Sequence, residues 1–262
     1  MNLEQTVKNI RSIHKQAFIP LNEFDYIKNA FVEKLNPKYL FRGEKIYPTT
    51  KSNYHRNPIK CAEQEYILNI SDALYKEFIG EIDKESPEYN PNIIQIGAIL
   101  QHYGFSIMWL DFTESIEVAA FFASYKNNSG KGRIWVTETK ELIEQNHHIY
   151  KLEFQRAVRP ERQKAYALRM YDDCPDFQNN QFFNSVRYDF DLTDDDLIKF
   201  DNQILLNTLE DTISDFIIQH IESHRIENER IMERLVSIQD ALKSKRIILN
   251  FNYYKKKYHP TC

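Results

Sequence analysis

The chain has 262 residues, 42% of them hydrophobic and 13% aromatic, with 34 Lys and Arg against 38 Asp and Glu for a net charge of −4. That balance does not indicate a globally basic nucleic-acid binder. The three cysteines, Cys61, Cys174 and Cys262, are too few and too far apart for a disulfide scaffold. Only six glycines are present, about 2% where ~7% is usual. This argues against a glycine-rich phosphate loop or a turn-dense sandwich, and it gives weight to each place where backbone must come close to something else.

In chain order, apolar residues at helical spacing predict a helix over 3–15 (Val7, Ile10, Ile13) and a second over 22–35 (Phe24, Ile27, Phe31, Leu35), ended by Asn36-Pro37. YLFRGEKIYP (39–48) predicts a short strand broken at Gly43. A polar loop leads to an amphipathic helix over 61–79, stopped by Gly80. After a loop at 86–92, Ile93 to Tyr103 reads as a helix closed by Gly104. SIMWLDF (106–112) is a strand, and Thr113 or Ser115 caps a helix through Tyr125. NNSGKG turns into the strand RIWVTE, and ELIEQ makes one helical turn. HHIYKLEF (147–154) and SVRYDFDL (185–192) read as strands; RPERQKAYALRMYD between them fits helix or strand. From Asp194 the pattern becomes long helices, 194–224 and 226–242, with Leu206, Leu209, Ile213, Ile217 and Ile221 on one stripe.

Strands and helices mix without a βαβ rhythm, so the fold class is α+β: a small split or mixed β-sheet flanked by helices, with a helical C-terminal extension. The expected organisation is N-terminal helices over 1–37, an α+β domain over 38–193 and the extension over 194–262. No apolar run approaches the ~18 residues of a membrane span. MNLEQTVKNIRSIHK is charged and amphipathic rather than signal-like, so a soluble cytoplasmic protein without membrane association is expected.

Two segments carry candidate chemistry. Arg42, beside Gly43 on a strand, can offer its planar fork to a phosphate or carboxylate; the alternative is a surface ion pair. In LQHYGFSIMWLDFTESIEVAAFFA (100–123), Gln101, His102, Asp111, Thr113 and Ser115 are polar positions around tight elements. Asp111 and Thr113 share a face if this is strand, and Asp111 is placed to orient His102 or to bind a ribose hydroxyl. Thr113 and Ser115 serve equally as helix caps. The acidic run at Asp189, Asp191 and Asp194 to Asp196 lacks the glycine and glutamate of a calcium loop. His147-His148 with Cys174 has no metal-ligand spacing, so no metal is expected. The last 22 residues interleave six Lys and Arg with Tyr253, Tyr254 and Tyr258 and contain no acid, a composition that suits single-stranded nucleic acid or a solvated tail.

FRG at 41–43, QHYG at 101–104 and LDFT with VAAFFA at 110–123 resemble the FRG-domain family of bacterial and phage proteins. Pro48 and Tyr54-His55-Arg56 fit the stretch between them, and GRIWV (132–136) fits the strand that follows. The resemblance covers about residues 38–170. It implies an α+β fold and the setting of mobile elements and phage defence, hence an intracellular effector or toxin-like component. The family's pattern continues with an arginine and then a glutamine-glycine pair. Arg162 supplies the arginine, while Tyr166-Ala167-Leu168 stand where the pair is expected.

The order of elements is also similar to ADP-ribosyltransferases of the Arg–Ser–Glu type. That similarity implies NAD as cofactor, with Arg42 and Gly43 at its phosphates and Thr113 and Ser115 at the nicotinamide ribose. His102 and Asp111 would complete the nucleotide pocket. Glu153 or Glu161 would be the catalytic carboxylate stabilising an oxocarbenium-like transition state. The implied activity is a transferase or an NAD glycohydrolase. The alternatives are a non-catalytic module binding a ligand or protein partner, forming homo-oligomers through its C-terminal helices, and nucleic-acid binding through the basic tail.

Overall fold

The structure, a computed structural model, describes residues 1–25, 30–46, 50–52, 93–102, 109–144, 149–153, 157–170, 177, 185–206 and 213. The expected helix at 61–79, the loop at 86–92, Gly104, Pro48, Tyr54 to Arg56, the three cysteines and the basic tail lie outside them. The chain divides into two compact units, Met1–Asp215 and Phe216–Cys262. The second lies outside the described residues.

Helix α1 (Leu3–Ile13) starts at a capping box: the Gln5 N–H donates to Asn2 Oδ1 at 2.9 Å, and the Asn2 N–H donates to the Gln5 side chain at 3.3 Å. Its Leu3, Val7 and Ile10 are buried. The second expected helix does not form. Strands β1 (Phe18–Asp25) and β2 (Ala30–Pro37) instead pair as an antiparallel two-stranded sheet, from Phe18 opposite Pro37 to Asp25 opposite Ala30. Residues four apart share a face in a strand as well as in a helix, so Phe31 and Leu35 satisfied both patterns. Both are largely exposed, 74% and 71%, so no buried stripe was available to hold a helix.

The main sheet has six antiparallel strands in the order β6-β7-β4-β3-β5-β8. They are β3 (Tyr39–Lys45), β4 (Trp109–Thr113), β5 (Lys131–Glu138), β6 (Ile149–Lys151), β7 (Ala165–Arg169) and β8 (Ser185–Asp191). Between them run α2 (Ile93–Gln101), α3 (Ile116–Ser124), α4 (Thr139–Glu144) and α5 (Val158–Arg162). The ambiguous segment is therefore a helical turn followed by a strand. The α+β expectation holds.

Strand β3 is not broken at Gly43, which pairs with Ile134 of β5 inside a seven-residue ladder. Gly43 has another purpose. Helix α3 crosses β3 there so closely that a Cβ on residue 43 would lie 1.6 Å from the Ala119 carbonyl oxygen. With the backbones in contact, Ala119, Ala120 and Ala123 sink into a core with Leu3, Phe41 and Ile134 on one face of the sheet. The opposite face buries Leu40, Leu110, Phe112, Trp135 and Leu168. There the Phe177 ring meets Phe112 and Trp135 edge-on, at 5.3 and 5.5 Å between centroids.

Beyond β8, the helix expected over 194–224 is interrupted early: α6 (Asp194–Lys199) ends and a 3-10 turn follows at Gln203–Leu206, and of the rest of that stretch only Ile213, which is helical, is among the described residues. Asp201 and Asn202 interrupt it; both residue types compete with the helix by local hydrogen bonding. Asp196, 2% exposed, fixes this segment to the start of the chain: its carboxylate accepts the backbone N–H of Leu3 (3.4 Å) and Glu4 (3.0 Å). One carboxylate so serves the N-termini of two helices. Among the described residues no helix is long and apolar enough to cross a membrane.

Candidate functional site

The central strands set up the site. β3 pairs with β5 over seven residues and β4 with β7 over five, but β3 and β4 share only the pair Phe41–Thr113. Past that pair the ladder stops. Continuing its register would set Gly43 opposite Asp111, and there the gap is bridged by a side chain: Arg42 Nη1 donates to the Asp111 carbonyl at 2.8 Å. A carbonyl orphaned by the split is thus satisfied by a guanidinium.

Arg42 is itself held. Its Nε donates to Glu44 Oε2 at 3.1 Å, and the two side chains are 12% and 6% exposed. Glu44 also accepts from the Thr50 hydroxyl (2.5 Å) and from Trp135 Nε1 (2.9 Å), both on Oε1. Sequence reading missed Glu44, although residues 42 and 44 must share a face once the segment is strand.

A cavity of about 600 Å³ opens at the split. Its described lining comes from β3 (Phe41 to Lys45), β4 (Asp111 to Thr113), the end of α2 (Gln101, His102), α3 and the turn after it (Val118, Ala119, Phe122, Tyr125, Lys126), and the α5–β7 segment (Arg159, Gln163, Ala165). Arg42, Gly43, His102, Asp111 and Thr113 converge on it. Among the described lining residues, four cationic side chains (Arg42, Lys45, Lys126, Arg159) stand beside two carboxylates (Glu44, Asp111).

The remaining candidates stand elsewhere. Ser115 caps α3, accepting the Val118 N–H and donating to Glu117 at 2.8 Å. Glu153 is exposed, follows β6 and pairs with Lys151. Glu161 is exposed on α5. None of these three lines the cavity among the described residues. Thr113 lines it with an occupied hydroxyl, which donates to the Gln163 carbonyl at 2.8 Å and accepts the Ser115 N–H at 3.0 Å. Among the described residues no group of His, Cys, Asp and Glu is arranged to hold a metal ion.

Gln163, 3% exposed, organises the far wall. Its Nε2 donates to the Leu205 carbonyl at 2.7 Å, and its Oε1 faces His102 Nδ1 at 2.8 Å. His102 is 7% exposed, and burial holds its pKa below the ordinary 6.5, against the pull of the Asp111 carboxylate and the Gln163 hydrogen bond. Its Nε2 lies 3.6 Å from Asp111 Oδ1. Neither atom has a hydrogen-bond partner among the described residues, and the same is true of Gln101 Oε1 beside them.

Fold and cavity together define an α+β domain whose antiparallel sheet is split at its centre over a pocket. Residues 37–132 match the family model described as the FRG domain, as the motifs at 41–43, 101–104 and 110–123 implied. No curated protein and no solved structure matches the chain, and the similarity to ADP-ribosyltransferases gains no support from these comparisons.

The stretch where the resemblance leads one to expect a glutamine-glycine pair lies at the start of β7. Tyr166-Ala167-Leu168 are buried inside β7, not at a turn. Arg162 ends α5, and Gln163 and Lys164 lead from it into β7. Lys164 has φ 46°, in the left-handed region where glycine sits without strain.

Proposed function

We propose that the FRG domain binds a small anionic ligand of the nucleotide class in the split-sheet cavity, NAD being the candidate that the ADP-ribosyltransferase similarity implies. The observation that carries this reading is the convergence of Arg42, His102 and Asp111, with Lys45 and Lys126, on one cavity of about 600 Å³. That size suits a small-molecule ligand. Lys45 and Lys126 suit phosphate as point charges; Lys45 already donates to the Lys126 carbonyl at 2.6 Å and has further N–H groups to give. If the glycosidic bond of NAD is cleaved here, the carboxylate for the developing ribose cation is Asp111, because both oxygens of Glu44 are engaged. A role as an intracellular effector of bacterial or phage conflict rests on the FRG domain alone.

A non-catalytic ligand-binding module is the second reading. It is favoured by the placement of Glu153 and Glu161 away from the cavity and by the neutralisation of Arg42 by Glu44. Incubating the full chain with labelled NAD, alongside calorimetry with NAD and ADP, separates the two. Binding with turnover supports the enzyme and binding without turnover supports the module. Heat of binding from neither nucleotide removes both.

A further inference from the structure

The hydrogen bonds around Gln163 fix the protonation of the site from an unambiguous starting point. The Leu205 carbonyl can only accept, so the Gln163 atom facing it is the amide nitrogen. The other end of the amide is then the oxygen, which can only accept from His102. The imidazole proton therefore sits on Nδ1. Burial keeps the ring neutral, which leaves Nε2 as a bare lone pair. It faces Asp111 Oδ1, a second acceptor, at 3.6 Å. Two buried acceptors confront each other, neither with a hydrogen-bond partner among the described residues. Such an arrangement is costly unless something supplies hydrogens. Asp111, with 41% of its side chain exposed on the cavity, can turn to meet them.

Resting on the nucleotide reading, we infer that His102 Nε2 and Asp111 form a two-acceptor clamp for a vicinal diol, the 2′- and 3′-hydroxyls of a ribose, with Gln163 as the positioning residue that sets the histidine tautomer. A diol offers two donors at about the spacing of neighbouring acceptors, and it accompanies phosphate in 5′-ribonucleotides whose 2′- and 3′-hydroxyls are free. The cationic rim at Lys45 and Lys126 takes the charge while the clamp reads the sugar. Bound in this way, a ribose turns a repulsion into two hydrogen bonds. A sugar lacking both hydroxyls leaves the repulsion in place.

Calorimetric titration of the full chain with ADP and with 2′,3′-dideoxy-ADP tests this. Dideoxy-ADP should bind at least about tenfold more weakly, the equivalent of one net hydrogen bond. Asp111→Asn, whose amide can donate to His102 Nε2 without any ligand, should bring the two affinities together and should raise the unfolding midpoint of the ligand-free protein. Gln163→Leu should weaken ADP without affecting dideoxy-ADP, which a merely structural role would not do. Equal binding of ADP and dideoxy-ADP overturns the clamp and leaves the nucleotide reading standing. Binding of neither removes the nucleotide reading and the clamp with it. A lower unfolding midpoint for Asp111→Asn overturns the assignment of two facing acceptors.

Discussion

Replacing Gly43 with alanine adds one methyl group at the crossing of β3 and α3. The added Cβ would stand 1.6, 2.5 and 3.0 Å from the O, C and Cα of Ala119, all backbone atoms, so no rotamer change relieves the clash. Ordinary contact begins at 3.4 Å, so one backbone must retreat by about 1.8 Å. Retreat of α3 lifts Ala119, Ala120 and Ala123 out of the core they share with Phe41 and Ile134. Retreat of β3 strains a ladder of seven pairs with β5. Overpacking of a core costs about 1–3 kcal/mol, and a clash between two backbones belongs at or above the upper end. A loss of about 3 kcal/mol in a unit of this size lowers Tm by roughly 6–12 °C. Urea and thermal unfolding followed by circular dichroism measure it, with Gly97→Ala as the matched control. Gly97 lies within α2 with nothing inside 4 Å of an added Cβ, so alanine there should stabilise by about 0.5–1 kcal/mol. A Gly43→Ala protein within about 0.5 kcal/mol of wild type would refute the close approach as the reason for this glycine.

Three further outcomes are expected. Arg42→Met strands the buried Glu44 carboxylate and should destabilise by about 3 kcal/mol, most of it recovered by adding Glu44→Gln; denaturant midpoints that simply add would deny the pair. Because the folded pKa of His102 lies below its ordinary 6.5, protons favour the unfolded chain: its contribution is complete above about pH 6.5 and declines as pH falls from there through the folded value, by at most about 1.4 kcal/mol per pH unit. His102→Asn should flatten the stability–pH curve between pH 7.5 and 5, while His14, also lowered by burial, titrates in both proteins and cancels; an unchanged slope would count against a neutral buried ring. Lys164→Gly relieves a left-handed lysine worth about 1–2 kcal/mol but gains unfolded-state entropy, so stability should stay level or rise by up to about 1 kcal/mol; a loss greater than that would show that the lysine side chain, 57% exposed beside Glu114, matters more than its backbone.

Features encoded over a few residues were legible in the sequence. The strand before Thr113, the Ser115 cap and the buried run of α3 follow from local patterning and capping chemistry. The α+β class followed from the order of elements. Features with distant causes were not legible. The β1–β2 sheet was read as a helix because a four-residue spacing fits both periods and exposure cannot be seen in a string. Gly43 resembled a break because its reason, the Ala119 carbonyl, lies 76 positions further along the chain. Glu44 became a partner of Arg42 only once both lay on one strand face. Gln163 escaped notice because its role depends on the Leu205 carbonyl, 42 residues later.

The three residues of the FRG tripeptide divide the construction of the cavity among them. Phe41 is 3% exposed and closes the sheet at the last β3–β4 pair. Arg42 spans the gap beyond that pair and is charge-balanced by Glu44. Gly43 lets α3 lie against the strand, so that Val118, Phe122 and Tyr125 form one wall of the opening. An arginine fixed by a carboxylate and a carbonyl is a strut with some donors left over, and its loss should damage the pocket before it removes any single ligand contact. The cavity-lining acceptors without a hydrogen-bond partner among the described residues belong to His102, Asp111 and Gln101. Loss of function in an Arg42 variant therefore says little about chemistry unless stability is measured beside it. The substitutions that address the ligand are those at Asp111 and Gln163.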